Sequence, residues 1–293
     1  MSHIVCFGEI LWDIFPDTKK IGGAPLNVAL RLASFNQRVS MISAVGQDRL
    51  GDALITYLKD NQVESECIQQ LNTFKTGEVL VKLNAKGVAT YNIEYPCAWD
   101  RIAVTESATA IVKQADAFVY GSLIARDNVS KNTLFTYLEL AKYKIFDLNL
   151  RAPFYSKVLL QELMQVADVI KFNDEELFEV SAFLGSPYRG LEQNINYIAR
   201  KTNTSSICVT KGAFGAVLLH QERLYYNSGY KVEVVDTVGA GDSFLGTLVS
   251  HLMDEVSPQM AIDMACAVGA MVAQSEGANP KISVSEITDF MGE

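Results

Sequence analysis

The chain has 293 residues, 49% of them hydrophobic and 20% charged, which argues against a disordered polymer and supports a substantial core. A net charge of −9 argues against a binder of nucleic-acid phosphates, which needs a basic face. Five scattered cysteines without Cys-x-x-Cys spacing fit neither a zinc module nor a disulfide framework; reduced core thiols in a cytoplasmic protein are expected instead.

No targeting pattern opens the chain: the apolar run over 1–7 is short and has no basic flank. The longest weakly polar stretch, 260–273, contains Asp263 and is too short for a bilayer, so no membrane partner is expected. The first strand reads Ile4-Val5-Cys6-Phe7, and polar residues follow as far as Asp13. Gly22-Gly23 then precedes a helix whose buried stripe is Leu26, Ala29, Leu30 and Ala33, with Pro25 suited to its first position. Asn27 falls in the first turn. Its amide both donates and accepts, which suits a polyol, although satisfying the local backbone is an alternative use.

A second strand over 39–45 leads to a helix over about 52–59. The region 76–95 differs. Val79, Val81 and Leu83 alternate with other residues, and the alternation resumes at Ala89, Tyr91, Ile93 and Tyr95 after a turn at Asn84-Ala85-Lys86-Gly87. That is a hairpin with one apolar face, expected to stand off the main domain and to need a cover. From about residue 105 the pattern becomes regular. Helices near 105–113, 130–142, 158–166 and 192–201 alternate with strands over 117–120, 144–147, 168–172 and 206–210, which predicts a parallel sheet covered on both faces.

Each of three strands is followed by polar residues: Asp147, Asn149 and Arg151; Asn173 and Glu176; Thr210 and Gly212. Ligands of open parallel sheets bind beyond the carboxyl ends of the strands, so these sets point to one shared site. After a β-like stretch over 231–235, the nine residues Asp236-Thr237-Val238-Gly239-Ala240-Gly241-Asp242-Ser243-Phe244 run into a helix with its apolar stripe at Phe244, Leu245, Leu248, Val249, Leu252 and Met253. A glycine turn at a helix N-terminus gathers free N–H groups and holds anions. A carboxylate there, Asp242, reads as a proton acceptor beside a phosphate; an ordinary capped helix start is the plainer alternative. A second helix follows with Ala261, Met264, Ala265, Val268 and Val272 inward, and its small residues Ala265, Ala267, Gly269 and Ala270 admit either a planar ring or close helix packing.

No Gly-x-x-x-x-Gly-Lys-Ser/Thr loop occurs, and Gly239-x-Gly241 lacks the third glycine of a dinucleotide fingerprint. Gly22-Gly23-x-x-x-Asn27-x-Ala29 and Asp236-Thr237-x-Gly239-Ala240-Gly241-Asp242-x-Phe244 together resemble the two signatures of the ribokinase-like (PfkB) carbohydrate kinases. The likeness extends through Asp147-x-Asn149-x-Arg151, Asn173-x-x-Glu176 and Thr210-x-Gly212-x-x-Gly215 over essentially the whole chain, with Lys211 a departure in the last motif. Within the family, residues 22–29 and Gly121-Ser122-Leu123 most resemble bacterial fructokinases.

The resemblance implies an α/β fold, a ribokinase-like three-layer sandwich around a mostly parallel sheet. It implies a single kinase domain over 1–293 with a small β lid drawn from about 10–22 and 72–99. The activity implied is transfer of the γ-phosphoryl group of ATP to a sugar hydroxyl, fructose first, with ribokinase or 2-keto-3-deoxygluconate kinase types, or a non-catalytic binding module, as alternatives. Asp242 matches the family's base, and Gly239, Ala240 and Gly241 its anion hole, with Arg151 a candidate for charge stabilisation. Asp13, Gly23 and Asn27 would grip the sugar; Asn173, Thr210, Gly212, Gly215 and Gly277 would line the nucleotide; Glu176 would organise Mg²⁺ through water. Asp236 matches a residue that binds a monovalent cation such as K⁺ in some relatives, and Tyr95 and Trp99 stand where they could shape the sugar pocket. A homodimer through the lid is expected from the apolar hairpin.

Overall fold

The structure is a computed structural model, and it describes residues 1–83 and 89–292. Its elements in chain order are β1 (His3–Phe7), β2 (Leu11–Ile14), β3 (Lys19–Gly22), α1 (Ala24–Ser34), β4 (Arg38–Gly46), α2 (Arg49–Asp60), β5 (Ile68–Leu71), β6 (Gly77–Leu83) and β7 (Ala89–Ile93). There follow α3 (Glu106–Gln114), β8 (Ala117–Gly121), α4 (Asn128–Leu138), β9 (Lys144–Asp147), α5 (Lys157–Gln165), β10 (Val169–Asn173), α6 (Asp174–Phe183) and α7 (Leu191–Thr202). The last third holds β11 (Ser206–Thr210), β12 (Ala216–His220), β13 (Arg223–Asn227), α8 (Ala240–Met253), α9 (Pro258–Ala273) and α10 (Val284–Gly292).

Nine strands form the main sheet in the order β13-β12-β11-β10-β9-β8-β1-β4-β5. The pairs from β11 to β5 are parallel, and β12 and β13 are antiparallel. The chain lays down β1, β4 and β5 in one direction, then returns to the other side of β1 for β8 and the rest. Such a reversal opens a crevice at the strand ends.

Side chains alternate across this sheet because the strand period is two. Val5, Phe7, Phe118, Tyr120, Phe146, Ile170, Phe172, Ile207 and Val209 pack into the layer that holds the apolar faces of α3 to α7. Ile4, Cys6, Val119, Ile145 and Val169 pack instead with residues of α1, α2 and α8. Each large aliphatic or aromatic side chain so buried contributes about 1.5–3 kcal/mol. All five cysteines are free and buried, as expected of core thiols.

A second sheet, β3-β2-β6-β7, stands apart from the first. β2 pairs with β6 in parallel, with antiparallel β3 and β7 at the two edges. The hairpin of β6 and β7 is present, but its expected turn at 84–87 and the side chains of 81–91 lie outside the described residues. Trp12 anchors this sheet by donating from Nε1 to the carbonyl of Leu50 at 3.1 Å.

Several elements depart from the sequence reading, β5, β12 and β13 among them, where no strand is expected. The stretch 231–235 belongs to no strand and pairs with neither sheet. Its end is tied to a helix instead, with the N–H groups of Val235 and Asp236 donating to the carbonyl of Ala273 at 2.8 and 3.2 Å. Helix α6 begins at once after β10, where no helix is expected. Its polar first turn, Asp174-Glu175-Glu176, hides the apolar positions Leu177 and Val180 that bury it. Helix α10 also escaped the pattern; its buried anchor is Ile287. Among the described residues no helix is long and apolar enough to cross a membrane.

Candidate active site

The loops after β1, β9, β10 and β11 converge on one cavity of about 560 Å³, roofed by Val79 and Ile93 of the small sheet. Its wall carries Glu9, Asp13, Gly23, Asn27, Asn149, Arg151, Lys171, Asn173, Thr210, Gly239, Gly241 and Asp242, so residues more than 200 positions apart meet there. Asp13 enters from β2 and Asn27 from the first turn of α1. Gly23 caps that helix at φ 114°, a conformation that a side chain would strain, and a Cβ there would press on the backbone of Glu9.

Asp242 occupies the first turn of α8. Its Oδ2 accepts from Asn27 Nδ2 at 2.8 Å, and Asn27 Oδ1 accepts from Asn279 Nδ2 at 2.7 Å, which fixes both side chains. Asp242 keeps a face on the cavity while protein surrounds its other sides. Loss of water there, reinforced by the charge of Asp147, pushes its carboxyl up to about 6, against the pull of Asn27, Lys171 and Arg151. Asp13 is likewise pushed up to about 6 by burial, with Arg151 and Lys20 opposing. Both are ionised at pH 7 and close enough to it to accept a proton.

The turn before α8 has Gly239 at φ 76°, and a Cβ there would overlap Ala278. The N–H of Ala240, expected in the anion hole, is directed back to the carbonyl of Thr237 at 3.3 Å. The N–H groups of Gly239, Gly241 and Asp242 have no partner among the described residues and are left able to donate to an anion.

Lys171 and Glu9 are charged groups of this wall that the sequence reading missed. Lys171 lies in β10. It alternates with Ile170 and Phe172, so it projects to the α8 side of the sheet, where its Nζ donates to Asp147 Oδ1 at 3.0 Å. Burial opposes its charge, but Asp147, Glu176 and Asp242 hold it protonated. A charged residue inside a buried apolar strand was the available signal.

Glu176 is committed to structure: Oε1 accepts from the N–H of Leu150 and Oε2 from the N–H of Asn173, both at 2.8 Å. The Asn173 side chain answers by accepting from the N–H of Glu176 at 2.8 Å, completing a capping box that pins the β9 and β10 loops together. No cluster of three or more His, Cys, Asp or Glu side chains suited to a metal occurs among the described residues.

A second cavity, of about 410 Å³, adjoins the first and shares Asn173, Thr210, Thr237 and Gly241 with it. Gly212, Gly215, Val232, Val234, Ala240, Phe244, Gly269 and Ala270 make it largely apolar. The small residues of α9 therefore open a space rather than only packing tightly. Gly277 lines neither cavity; its N–H donates to Asp236 Oδ2 at 3.3 Å. Asp236 also accepts from the N–H of Val238 at 3.0 Å and lies 3.8 Å from Lys20 of β3, linking the turn to the small sheet. Tyr95 and Trp99 line neither cavity. Tyr95 donates to Asp127 at 2.9 Å, and Trp99 is buried with the Arg126 guanidinium 3.8 Å above its ring.

The pattern of the pfkB family carbohydrate kinases matches residues 1–284. The chain belongs to this family. It is accordingly a phosphotransferase acting on a sugar hydroxyl. The kinase is 28% identical to the probable chloroplastic fructokinase-6 of Arabidopsis thaliana, over 97% of this chain and 80% of that protein. It is 25% identical to the fructokinase of Escherichia coli, over 94% of this chain and 95% of that one. Its fold matches the fructokinase of Vibrio cholerae O395, solved with fructose, ADP and calcium, at a TM-score of 0.85 and 24% identity over 99% of each chain.

Proposed function

We propose that this kinase is a fructokinase, converting D-fructose and ATP to D-fructose 6-phosphate and ADP. The observation that carries the reading is the position of Asp242, in the wall of the polar cavity and one residue from the shared edge of the apolar one. The polar cavity takes the sugar. Asp13 and Asn27 hydrogen-bond its hydroxyls, and Val79 and Ile93 cover it and exclude water that would otherwise accept the phosphoryl group. The apolar cavity takes the purine, with the phosphates directed to the shared edge at Thr210 and Gly241.

In the reaction the sugar hydroxyl oxygen forms a bond to the γ-phosphorus while the bond from that phosphorus to the ADP oxygen breaks. Asp242 takes the hydroxyl proton as the bond forms. Phosphoryl transfer needs positioning and neutralisation of spread negative charge more than a strong base. The N–H groups of Gly239, Gly241 and Asp242, with the positive end of α8, supply that neutralisation without reorganisation. Lys171 and Arg151 add fixed positive charge on the sugar side.

The chain's donors fit a Mg²⁺ ion held chiefly by phosphates and water, since Glu176 spends one lone pair of each oxygen on backbone N–H groups and keeps the others for a hydration shell. When bound, Mg²⁺ neutralises phosphate charge. Asp236, with neighbouring carbonyls, is the site proposed for a monovalent cation. Two copies joined through the β3-β2-β6-β7 sheet form the proposed assembly, and the five unpaired thiols accord with a reducing cytoplasm.

Coupled release of ADP over a panel of fructose, ribose, 2-keto-3-deoxygluconate and glucose tests the substrate. Fructose should give the highest kcat/KM; turnover of another sugar with none on fructose would overturn the assignment while leaving the kinase. Light scattering at working concentration should give twice the chain mass.

A further inference from the structure

Glu9 is a carboxylate of the sugar cavity with no task in the chemistry described so far. It follows Gly8 at the carboxyl end of β1, is 4% exposed, and lines both the 560 Å³ cavity and a recess of about 10 Å³ beside it. Its Oε2 has no hydrogen-bond partner among the described residues. Leaving a buried polar atom unmatched costs on the order of 1–3 kcal/mol, and more for a charge, so such groups mark places where something else completes them.

The mount beneath Glu9 is rigid. The N–H of Gly8 donates to the carbonyl of Ile42 at 3.2 Å, and the Ser43 hydroxyl donates to the carbonyl of Gly8 at 2.6 Å. Gly23, without a side chain, lets the start of α1 close against the Glu9 backbone. The backbone that carries Glu9 is therefore fixed, and the buried carboxyl side chain lies in the cavity wall. Burial raises it to about 7; its own backbone N–H, Arg151 and Arg126 oppose the rise, and Asp242 adds to it. Near neutral pH it can thus donate or accept a hydrogen bond, matching the two-way character of a hydroxyl. A phosphate is a poor fit, because a carboxylate repels it and Glu9 is absent from the nucleotide-side cavity.

We propose that Glu9 is a sugar-recognition residue, whose carboxyl group hydrogen-bonds a hydroxyl of the acceptor other than the one phosphorylated and so selects among sugars. The inference rests on the assignment of the polar cavity to the sugar. It competes with one structural account. Asp147 Oδ2 is also unpartnered and Asp147 also lines the small recess, which has room for one water that would serve both carboxylates.

A cycle of enzyme and substrate deletions separates the two. The sugar panel first identifies the acceptor, so failure of the fructose assignment is seen before Glu9 is tested. Singly deoxygenated analogues of whichever sugar is used are then compared on wild type, Glu9→Gln and Glu9→Ala. For one analogue, wild type should lose roughly 10- to 100-fold in kcat/KM, while Glu9→Ala should lose nothing further on the same deletion. KM for ATP should be unchanged in all three proteins. If every analogue costs wild type and variants the same factor, Glu9 serves the recess water and the proposal falls. Glu9→Gln preserves shape and carries the cycle if Glu9→Ala does not fold, and calorimetric titration of the same analogues reads binding apart from turnover.

Discussion

The two cavities that meet at the start of α8 are built on opposite principles. The first gathers Glu9, Asp13, Arg151, Lys171 and Asp242 around a wall of strand ends, with three carboxylates pushed upward by burial. The second offers glycines, alanines, valines and Phe244, with Asn173, Thr210 and Thr237 at the shared edge and Asp174, Glu175 and Tyr230 beyond it. A ligand rich in hydroxyls can be told from its relatives only by groups that suffer when left unpaired. A flat ring needs area, exclusion of water and little else. On the proposed assignment of sugar and nucleotide, selectivity would reside in the first cavity and affinity in the second, with Asp242 in the wall of the first and the N–H groups beside it facing the phosphates between them.

The sharpest way to break this division is Asp242→Asn. It should lower kcat by roughly 10²–10⁴ while calorimetry still finds sugar binding, because the amide keeps the hydrogen-bonding shape but not the basicity. Equal loss of binding and turnover would make Asp242 a binding residue only.

Acidification is the next largest effect. Asp242 must be ionised to act, so kcat/KM should fall about tenfold per pH unit once pH drops below about 6 and should level off above about 7. Stability should move the other way. The folded-state values of Asp13 and Asp242 near 6, and of Glu9 near 7, lie above ordinary carboxylate values near ~4. The folded protein thus binds extra protons in that window, and the contribution of these groups to stability is lost as pH rises through 6 to 7. Melting temperatures of wild type and Glu9→Gln at pH 6 and 8 check this, since the variant should gain more at pH 8.

The division is sharpened by filling the apolar side alone. Ala270→Phe should raise KM for ATP by roughly tenfold or more and leave KM for the sugar unchanged, because the new ring occupies space that only the second cavity offers. A shift in both constants would show the two cavities to be coupled. The smallest expected effect is on stability. Gly239→Ala places a Cβ against Ala278 at positive φ and should destabilise by about 1–3 kcal/mol, read as a lower melting temperature.

Much of this architecture was legible in the chain because it depends on local periodicity. Strands with buried residues on both faces, helices with apolar stripes, and glycines before helix starts are each written within about ten residues. Polar residues after successive strands had to converge once the sheet was parallel, and Asn149, Arg151, Asn173 and Thr210 do so. Packing alone decided the rest. The stretch 231–235 has strand chemistry, yet its end is tied to the carbonyl of Ala273 and it joins neither sheet. Glu176 has the look of a ligand, yet each of its oxygens also accepts from a backbone N–H, that of Leu150 or Asn173. Lys171 and Glu9 become functional candidates only when Asp147, Arg151 and Asp242 are brought around them, and a single strand cannot announce the charges that its neighbours will carry. Local pattern determined the fold and the place of the site. Which oxygens in it are free and which are occupied follows from contacts that span from 26 positions, Leu150 to Glu176, to 252, Asn27 to Asn279, and only the tertiary structure decides those.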